Sequence, residues 1–350
     1  MVRGLTLRDF RTYARLELAL EPGVVLLHGP NGAGKTNLLE ALHVGTQGFS
    51  PRTRSDSQMI RFGAEVGRVS LHGSVGETGF ETDVVLAARD GRKASLNGEP
   101  LSSAERLRIE LRALVFTPDR LAVVKGAPAT RRAYLDRSLS RALPARGALP
   151  VDYAAAVGQR NACLRRLRAG LSSREALRPW TESVATLGAS LVAARHETVA
   201  LLAAPFSRIA DQLGLESAVL AYEGDPPAVE ELEARFERDL ERGLTGAGPH
   251  LHDLAVTADG RDVRFFGSQG EQRVAVLSLV LAEAEVLRER LGDPPLVLLD
   301  DVLSELDGDR RRSLAGIVGQ GGQTVITTTS ARAYPGEADQ VLAVSPGAVE

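Results

Sequence analysis

Apolar and polar positions alternate with a period of two at the start of the chain. Leu5-Thr6-Leu7-Arg8-Asp9-Phe10 and Leu16-Glu17-Leu18-Ala19-Leu20 each read as a strand with one buried face, the second closed by Glu21-Pro22-Gly23. Val24-Val25-Leu26-Leu27 breaks the alternation: four apolar residues in succession predict a strand buried on both faces. An apolar stripe at helical spacing follows from Thr36-Asn37-Leu38-Leu39 onward. The period of two returns in Val66 to Val75, Phe80 to Ala88 and Lys93 to Leu96. These runs are separated by Gly76-Glu77-Thr78-Gly79 and Asp90-Gly91 and closed by the hairpin signal Asn97-Gly98, which predicts a small antiparallel sheet. Ser102 to Arg112 reads as a helix and Leu114-Val115-Phe116 as a buried strand.

From about residue 120 to 243 glycine becomes sparse and the pattern is helical, clearest at 151–169, 174–213 and 227–243. Pro179 either kinks the second segment or sits in a first turn. Strand signals resume at Leu254-Ala255-Val256, with a turn at Ala258-Asp259-Gly260. A helix over Gln272 to Leu291 follows, then the apolar run Pro295 to Leu299 ending in Asp300-Asp301, a strand at Val325 to Thr329 and another at Val341 to Val344. The expected fold is α/β, a mixed sheet with flanking helices plus a small antiparallel sheet, split by an inserted helical arm. The expected domains are 1–119, the arm 120–246, and 247–350.

A length of 350 residues suits two or three domains at roughly 150 residues each. A single cysteine, Cys163, excludes an internal disulfide and fits a reducing compartment. No apolar run approaches the ~18 residues of a membrane span, and Arg8, Asp9, Arg11 and Arg15 interrupt any signal-peptide core, so a cytoplasmic protein with no membrane partner is expected. The net charge of −3 argues for no polyanionic partner, but its distribution is uneven. Lys125 to Arg178 holds twelve cations against three acids, a net of +9, whereas Tyr222 to Arg242 holds eight acids against three arginines. Arg131, Arg132, Arg137, Arg160, Arg165, Arg166 and Arg168 are candidate phosphate contacts, with Arg52, Arg54 and Arg61 as a second set. Solvated helix faces paired along the same helix explain those charges equally well. An aromatic content of 4% leaves little base stacking, which favours recognition of DNA structure over base sequence.

The chemistry concentrates at Gly29-Pro30-Asn31-Gly32-Ala33-Gly34-Lys35-Thr36, a G-x-x-x-x-G-K-[ST] loop between a buried strand and a helix. Glycines let successive N–H groups curl around a polyphosphate at the positive end of the helix. Lys35 reaches the β- and γ-phosphates, and the Thr36 hydroxyl holds Mg²⁺. Asp300 at the end of its apolar strand is the second metal-site candidate, and Asp301 the group that polarises an attacking water. On their own, the two acids equally end a strand and cap a turn. Ser268-Gln269-Gly270-Glu271-Gln272 opens a helix whose N-terminus suits phosphate oxygens, while an ordinary capping box of Ser268 with Glu271 explains it as readily.

This order of elements resembles the ABC-type ATPase heads, and among them the chromosome-maintenance and break-repair heads whose nucleotide motifs are split by an insertion. Leu7-Arg8-Asp9-Phe10-Arg11, Gly48-Phe49-Ser50-Pro51-Arg52-Thr53, Thr117-Pro118-Asp119, Arg131-Arg132-Ala133-Tyr134-Leu135-Asp136, Gly248-Pro249-His250 and Ser304-Glu305-Leu306-Asp307 narrow the resemblance to the RecF family of bacterial recombination mediators, over essentially the whole chain. The resemblance implies an ATP- and Mg²⁺-dependent homodimer in which Ser268, Gln269, Gly270 and Asp307 of one copy contact ATP bound by the other, with hydrolysis as the release step. It also implies binding to single-stranded, gapped or junction DNA, recombinase loading in repair and replication restart, a part in the SOS response, and the partners RecR and RecO. Asp301 stands where the class usually has glutamate, and Thr327-Thr328-Thr329-Ser330 where a histidine is common, so weak hydrolysis is expected. No glutamine is placed at the metal-sensing position; Thr117-Pro118-Asp119 occupies that stretch. The alternatives are an ATPase of the same class that does not act on DNA, and a P-loop kinase. No N-K-x-D guanine motif supports a GTPase, and the ~260 residues between the two nucleotide motifs argue against a small kinase.

Overall fold

The computed structural model describes residues 1–89 and 91–350, except for the side chains of Asp119, Arg120 and Glu305. Asp90 of the expected Asp90-Gly91 turn, and the side chains of the acids in Thr117-Pro118-Asp119 and Ser304-Glu305, therefore lie outside the described residues. In chain order the strands are β1 (Val2–Phe10), β2 (Tyr13–Ala19), β3 (Val24–His28), β4 (Val66–Val75), β5 (Thr78–Ala87), β6 (Gly91–Leu96), β7 (Glu99–Leu101), β8 (Ala113–Phe116), β9 (Val219–Glu223), β10 (Asp253–Ala258), β11 (Arg261–Asp262), β12 (Leu296–Leu299), β13 (Thr324–Thr328), β14 (Gln340–Ser345) and β15 (Ala348–Val349).

The chain forms two compact units. The first comprises Met1–Arg120, Gln212–Gly214 and Val276–Glu350, and the second Leu121–Asp211 with Leu215–Ala275. Two sheets build the first unit. One is antiparallel in the order β2-β1-β4-β5-β6-β7. The other runs β15-β14-β3-β13-β12-β8, with every pairing parallel except β14 with β15. The two sequence patterns separate them. Leu296–Leu299 and Thr324–Thr328 are buried along their whole length, as strands covered on both faces must be. In β1, β4 and β5 burial alternates, so Leu5, Leu7, Val69, Leu71 and Val84 share one core with Leu38, Leu42 and Val44 of the Lys35–Gln47 helix.

The second unit is mostly helical, with helices at Pro128–Ala142, Leu149–Arg168 and, extending one residue beyond the unit, Arg174–Gln212; the last contains Pro179 and Pro205 without a break. This compact unit continues to Ala275. The pattern had not marked β9, which pairs antiparallel with β10 and draws that strand into this unit.

Arginines hold this unit together from inside. Arg160, 1% exposed, donates to Asp239 at 2.7 Å, Thr245 at 3.0 Å, Thr181 at 3.2 Å and the Leu232 carbonyl at 3.3 Å. Arg195 forks onto Asp136 at 2.8 and 3.0 Å and donates to the Pro249 carbonyl at 2.7 Å. Removing one member of a buried pair strands the other charge, which costs about 3–5 kcal/mol. Asp239→Ala is therefore expected to lower unfolding free energy by that order in a denaturant titration. Glu182→Ala, which breaks the exposed Arg178–Glu182 pair, should cost less than about 1 kcal/mol.

Candidate functional site

β3 delivers the chain into the Gly29–Thr36 loop, and the Lys35–Gln47 helix leaves it. Gly34 has φ 108°, and a Cβ there would lie 2.7 Å from the Tyr13 hydroxyl oxygen, so both backbone shape and space require glycine. At Gly29 a Cβ would meet the Val344 carbonyl oxygen of β14 at 2.2 Å. Tyr13 donates to the Gly34 carbonyl at 3.2 Å, and burial pushes its pKa up to about 12, which keeps it a donor. The Lys35 ammonium folds back to the carbonyls of Gly29 at 2.7 Å and Pro30 at 2.9 Å. Burial lowers its pKa, while the carboxylates of Asp301 and Asp300 act in the opposite direction.

Sheet order brings the second motif to this loop. β13 lies between β3 and β12, so the carboxyl ends of the three strands are neighbours. Asp300 follows β12 and is 6% exposed. Its Oδ1 accepts from the Thr36 hydroxyl at 3.0 Å and from the Thr327 hydroxyl of β13 at 2.7 Å. Burial raises the Asp300 pKa; the two threonine bonds and the positive charge of Arg52 oppose that rise. A hydroxyl and a carboxylate held 3.0 Å apart are the hard oxygen donors that Mg²⁺ takes, so these side chains fit the ion. Asp301, the next residue, has φ 47°, a left-handed conformation that costs a non-glycine residue of order 1 kcal/mol and gathers at functional sites. Its backbone N–H donates to Thr327 Oγ1 at 2.9 Å, so one threonine holds the Asp300 carboxylate and the Asp301 backbone.

Sequence reasoning missed Thr327 as a site residue. Its visible sign was a run of hydroxyl residues on an otherwise apolar buried strand. A second omission is Glu40, one turn along the loop helix and 1% exposed. Arg11 forks onto it with two bonds of 2.7 Å, the Ser50 hydroxyl donates to it, and Arg52 reaches it at 3.3 Å. Asn37 donates to the Thr12 hydroxyl at 3.2 Å, which pins the β1–β2 turn to the same helix.

Ser268, Gln269 and Gly270 are exposed and belong to the second compact unit, whereas Lys35, Thr36, Asp300, Asp301 and Asp307 belong to the first. Ser268 and Glu271 form a reciprocal capping box: Ser268 N–H donates to Glu271 at 2.7 Å and Glu271 N–H to Ser268 Oγ at 3.2 Å. Gln272 is buried, and its amide donates to the carbonyls of Gly267, Val263 and Arg264, which binds the helix start to the preceding Val263–Phe266 turn. Asp307 caps the Gly308–Val318 helix by accepting from the Arg310 N–H at 2.9 Å.

The candidate DNA arginines divide. Arg131 and Arg160 are corrected: at 3% and 1% exposure, paired with Asp253 and Asp239, they are interior struts that no phosphate can reach. Arg132 is half-buried and donates to the His252 carbonyl at 2.8 Å. Arg52 is turned towards Glu40 and Asn37 on the helix that follows the phosphate loop. Arg54, Arg165, Arg166 and Arg168 remain exposed, although Arg168 also donates to the Glu241 carbonyl.

The family model described as the RecF/RecN/SMC N terminal domain matches residues 1–348. The chain is 40% identical over 350 residues to a DNA replication and repair protein RecF of Anaeromyxobacter dehalogenans, covering 94% of this chain and 92% of that protein. It is 35% identical over 352 residues to that of Heliobacterium modesticaldum, covering 96% and 94%. A solved structure of the recombination mediator protein RecF with ATP, in the RecFOR pathway, superposes with a TM-score of 0.87 at 26% identity, covering all of this chain and 96% of that one. The phosphate loop beside a buried Asp300 thus sits in a RecF/SMC-like ABC ATPase head with mixed α/β sheets, and the chain belongs to the RecF family.

Proposed function

We propose that this chain is a weak, Mg²⁺-dependent ATPase that binds DNA in recombinational repair and replication restart and uses ATP to dimerise. The observation that carries the nucleotide part is the 3.0 Å contact of Thr36 with Asp300 beside Lys35. Family membership supports the DNA part. On this reading Lys35 exchanges its carbonyl partners for the β- and γ-phosphates, and the loop N–H groups at the helix N-terminus bind the remaining oxygens. Thr36 and Asp300 would hold Mg²⁺, which would supply charge neutralisation for the phosphates. Thr327 keeps Asp300 aimed, and Asp301 orients the attacking water. Residues 1–119 and 247–350 act as the ATPase head and 120–246 as the arm. Ser268, Gln269, Gly270 and Asp307 meet the γ-phosphate of a second copy, so ATP closes a cytoplasmic homodimer and hydrolysis opens it. Single-stranded or gapped DNA is the substrate, recombinase loading and SOS signalling the outcome, and RecR and RecO the partners.

Lys35→Met is expected to abolish ATP binding by calorimetry. Ser268→Arg should bind ATP normally yet remain monomeric in sedimentation velocity with saturating ATP. A wild-type monomer under those conditions would sink the dimer reading.

Asp300 gives a pH-dependent signature. A carboxyl with a raised folded pKa binds its proton more tightly in the native state, so its ionisation costs stability as pH rises through that pKa. Asp300→Asn should therefore unfold no earlier than wild type at neutral pH while losing Mg²⁺-dependent hydrolysis. In wild type, Mg²⁺ affinity should begin to fall, on acidification, at a pH above the ordinary aspartate range, as read by metal titration.

Charge reversal of Arg165, Arg166 and Arg168 tests the exposed set on the arm. It should weaken binding to gapped DNA and flatten the slope of log affinity against log salt by about 2–3. An unchanged slope would remove this helix from the DNA-binding surface.

A further inference from the structure

The antiparallel sheet buries one face and leaves the other wet, and strand register sorts the charges on that wet face into a row. Arg8 of β1 stands directly opposite Arg15 of β2 and directly opposite Arg68 of β4. Arg68 is opposite Val85 of β5, which is opposite Lys93 of β6. Arg8, Arg15, Arg68 and Lys93 are all exposed. At ~4.8 Å per strand the row runs about 19 Å across the sheet.

Like charges placed directly across a sheet destabilise it. Internal compensation here is partial. Arg15 pairs with Glu17 at 2.7 Å through one guanidinium nitrogen, and Arg68 pairs with Asp83 at 3.4 Å through its Nε. A guanidinium has five donors, so both keep N–H groups for another anion. Arg8, between Arg15 and Arg68, and Lys93, at the end, have no carboxylate within ion-pair distance among the described residues. Beside the row, Asp9 pairs with Arg61, and Phe62 at the tip of the following turn is fully exposed.

We propose that this wet face is a track for the phosphate backbone of DNA, with Arg15, Arg8, Arg68 and Lys93 as the contacts. A line of cations about 19 Å long covers about five phosphates of one strand at 3.4 Å of rise each. The contacts are sequence-independent, because they reach phosphate oxygens and not base edges. The inference rests on the DNA-binding reading above and gives it a location in the first compact unit, separate from the arm.

The test is fluorescence anisotropy of a fluorescein-labelled gapped duplex with wild type and with an Arg8→Gln/Arg68→Gln/Lys93→Gln variant, across a salt series. The variant should bind about tenfold or more weakly, with a salt slope flatter by about 2–3. Its thermal midpoint should match or exceed wild type, since like-charge neighbours have been removed, and its ATP affinity should be unchanged. Wild type that binds DNA, with a variant of equal affinity and slope, overturns the track and leaves the DNA-binding reading standing. Wild type that fails to bind gapped DNA, with or without ATP, overturns both.

Discussion

The shared oxygen of Asp300 is the constraint on which the site depends. Thr36 and Thr327 both donate to Oδ1 of a carboxylate that is almost wholly buried. Taking a carboxylate out of water costs several kcal/mol, and two neutral hydroxyls return only part of that. The raised pKa records the deficit. A site built this way favours a cation, which explains why an apolar strand ends in an acid at this depth. The arrangement also requires exact register. Leu299 pairs with Ile326, and Thr327 pairs with Leu27. A slip of one residue in β13 would turn the Thr327 hydroxyl to the opposite face and release both the Asp300 carboxylate and the Asp301 N–H from it.

The same economy of donors appears in the helical unit, with a different purpose. Arg131, Arg160 and Arg195 each combine a carboxylate with at least one backbone carbonyl, so each satisfies several buried acceptors at once. A planar guanidinium with five donors suits that task better than an ammonium. These arginines are structural because their carboxylate partners lie 59 to 122 residues away in the chain. The block from 125 to 178 is therefore less available to a polyanion than its net charge of +9 implies. On the antiparallel sheet the opposite holds, since residues dispersed through a near-neutral region gather into one row by register alone.

Local pattern made much of the molecule legible. The eight-residue loop, the buried strands β3, β12 and β13, the alternating strands β1, β4 and β5 and the long helices of the arm all follow from short-range spacing. The Ser268–Glu271 capping box was equally readable, being a contact three residues apart. What escaped was set by distant partners. β9 has an ordinary sequence and becomes a strand through pairing with β10. Glu40 looked like a polar position on an amphipathic helix until Arg11, Ser50 and Arg52 converged on it.

The amino-acid sequence alone determined where the phosphate-loop motif lies and which strands carry the acids, because glycine conformation, helix start and hydrophobic period are properties of neighbouring residues. Only the tertiary structure decided that Thr327 aims Asp300 and ties down the Asp301 backbone, that Arg131 and Arg160 are interior struts, and that Arg8, Arg15 and Arg68 stand in line. Each of those outcomes depends on register or burial, and these arise when segments remote in the chain pack against one another.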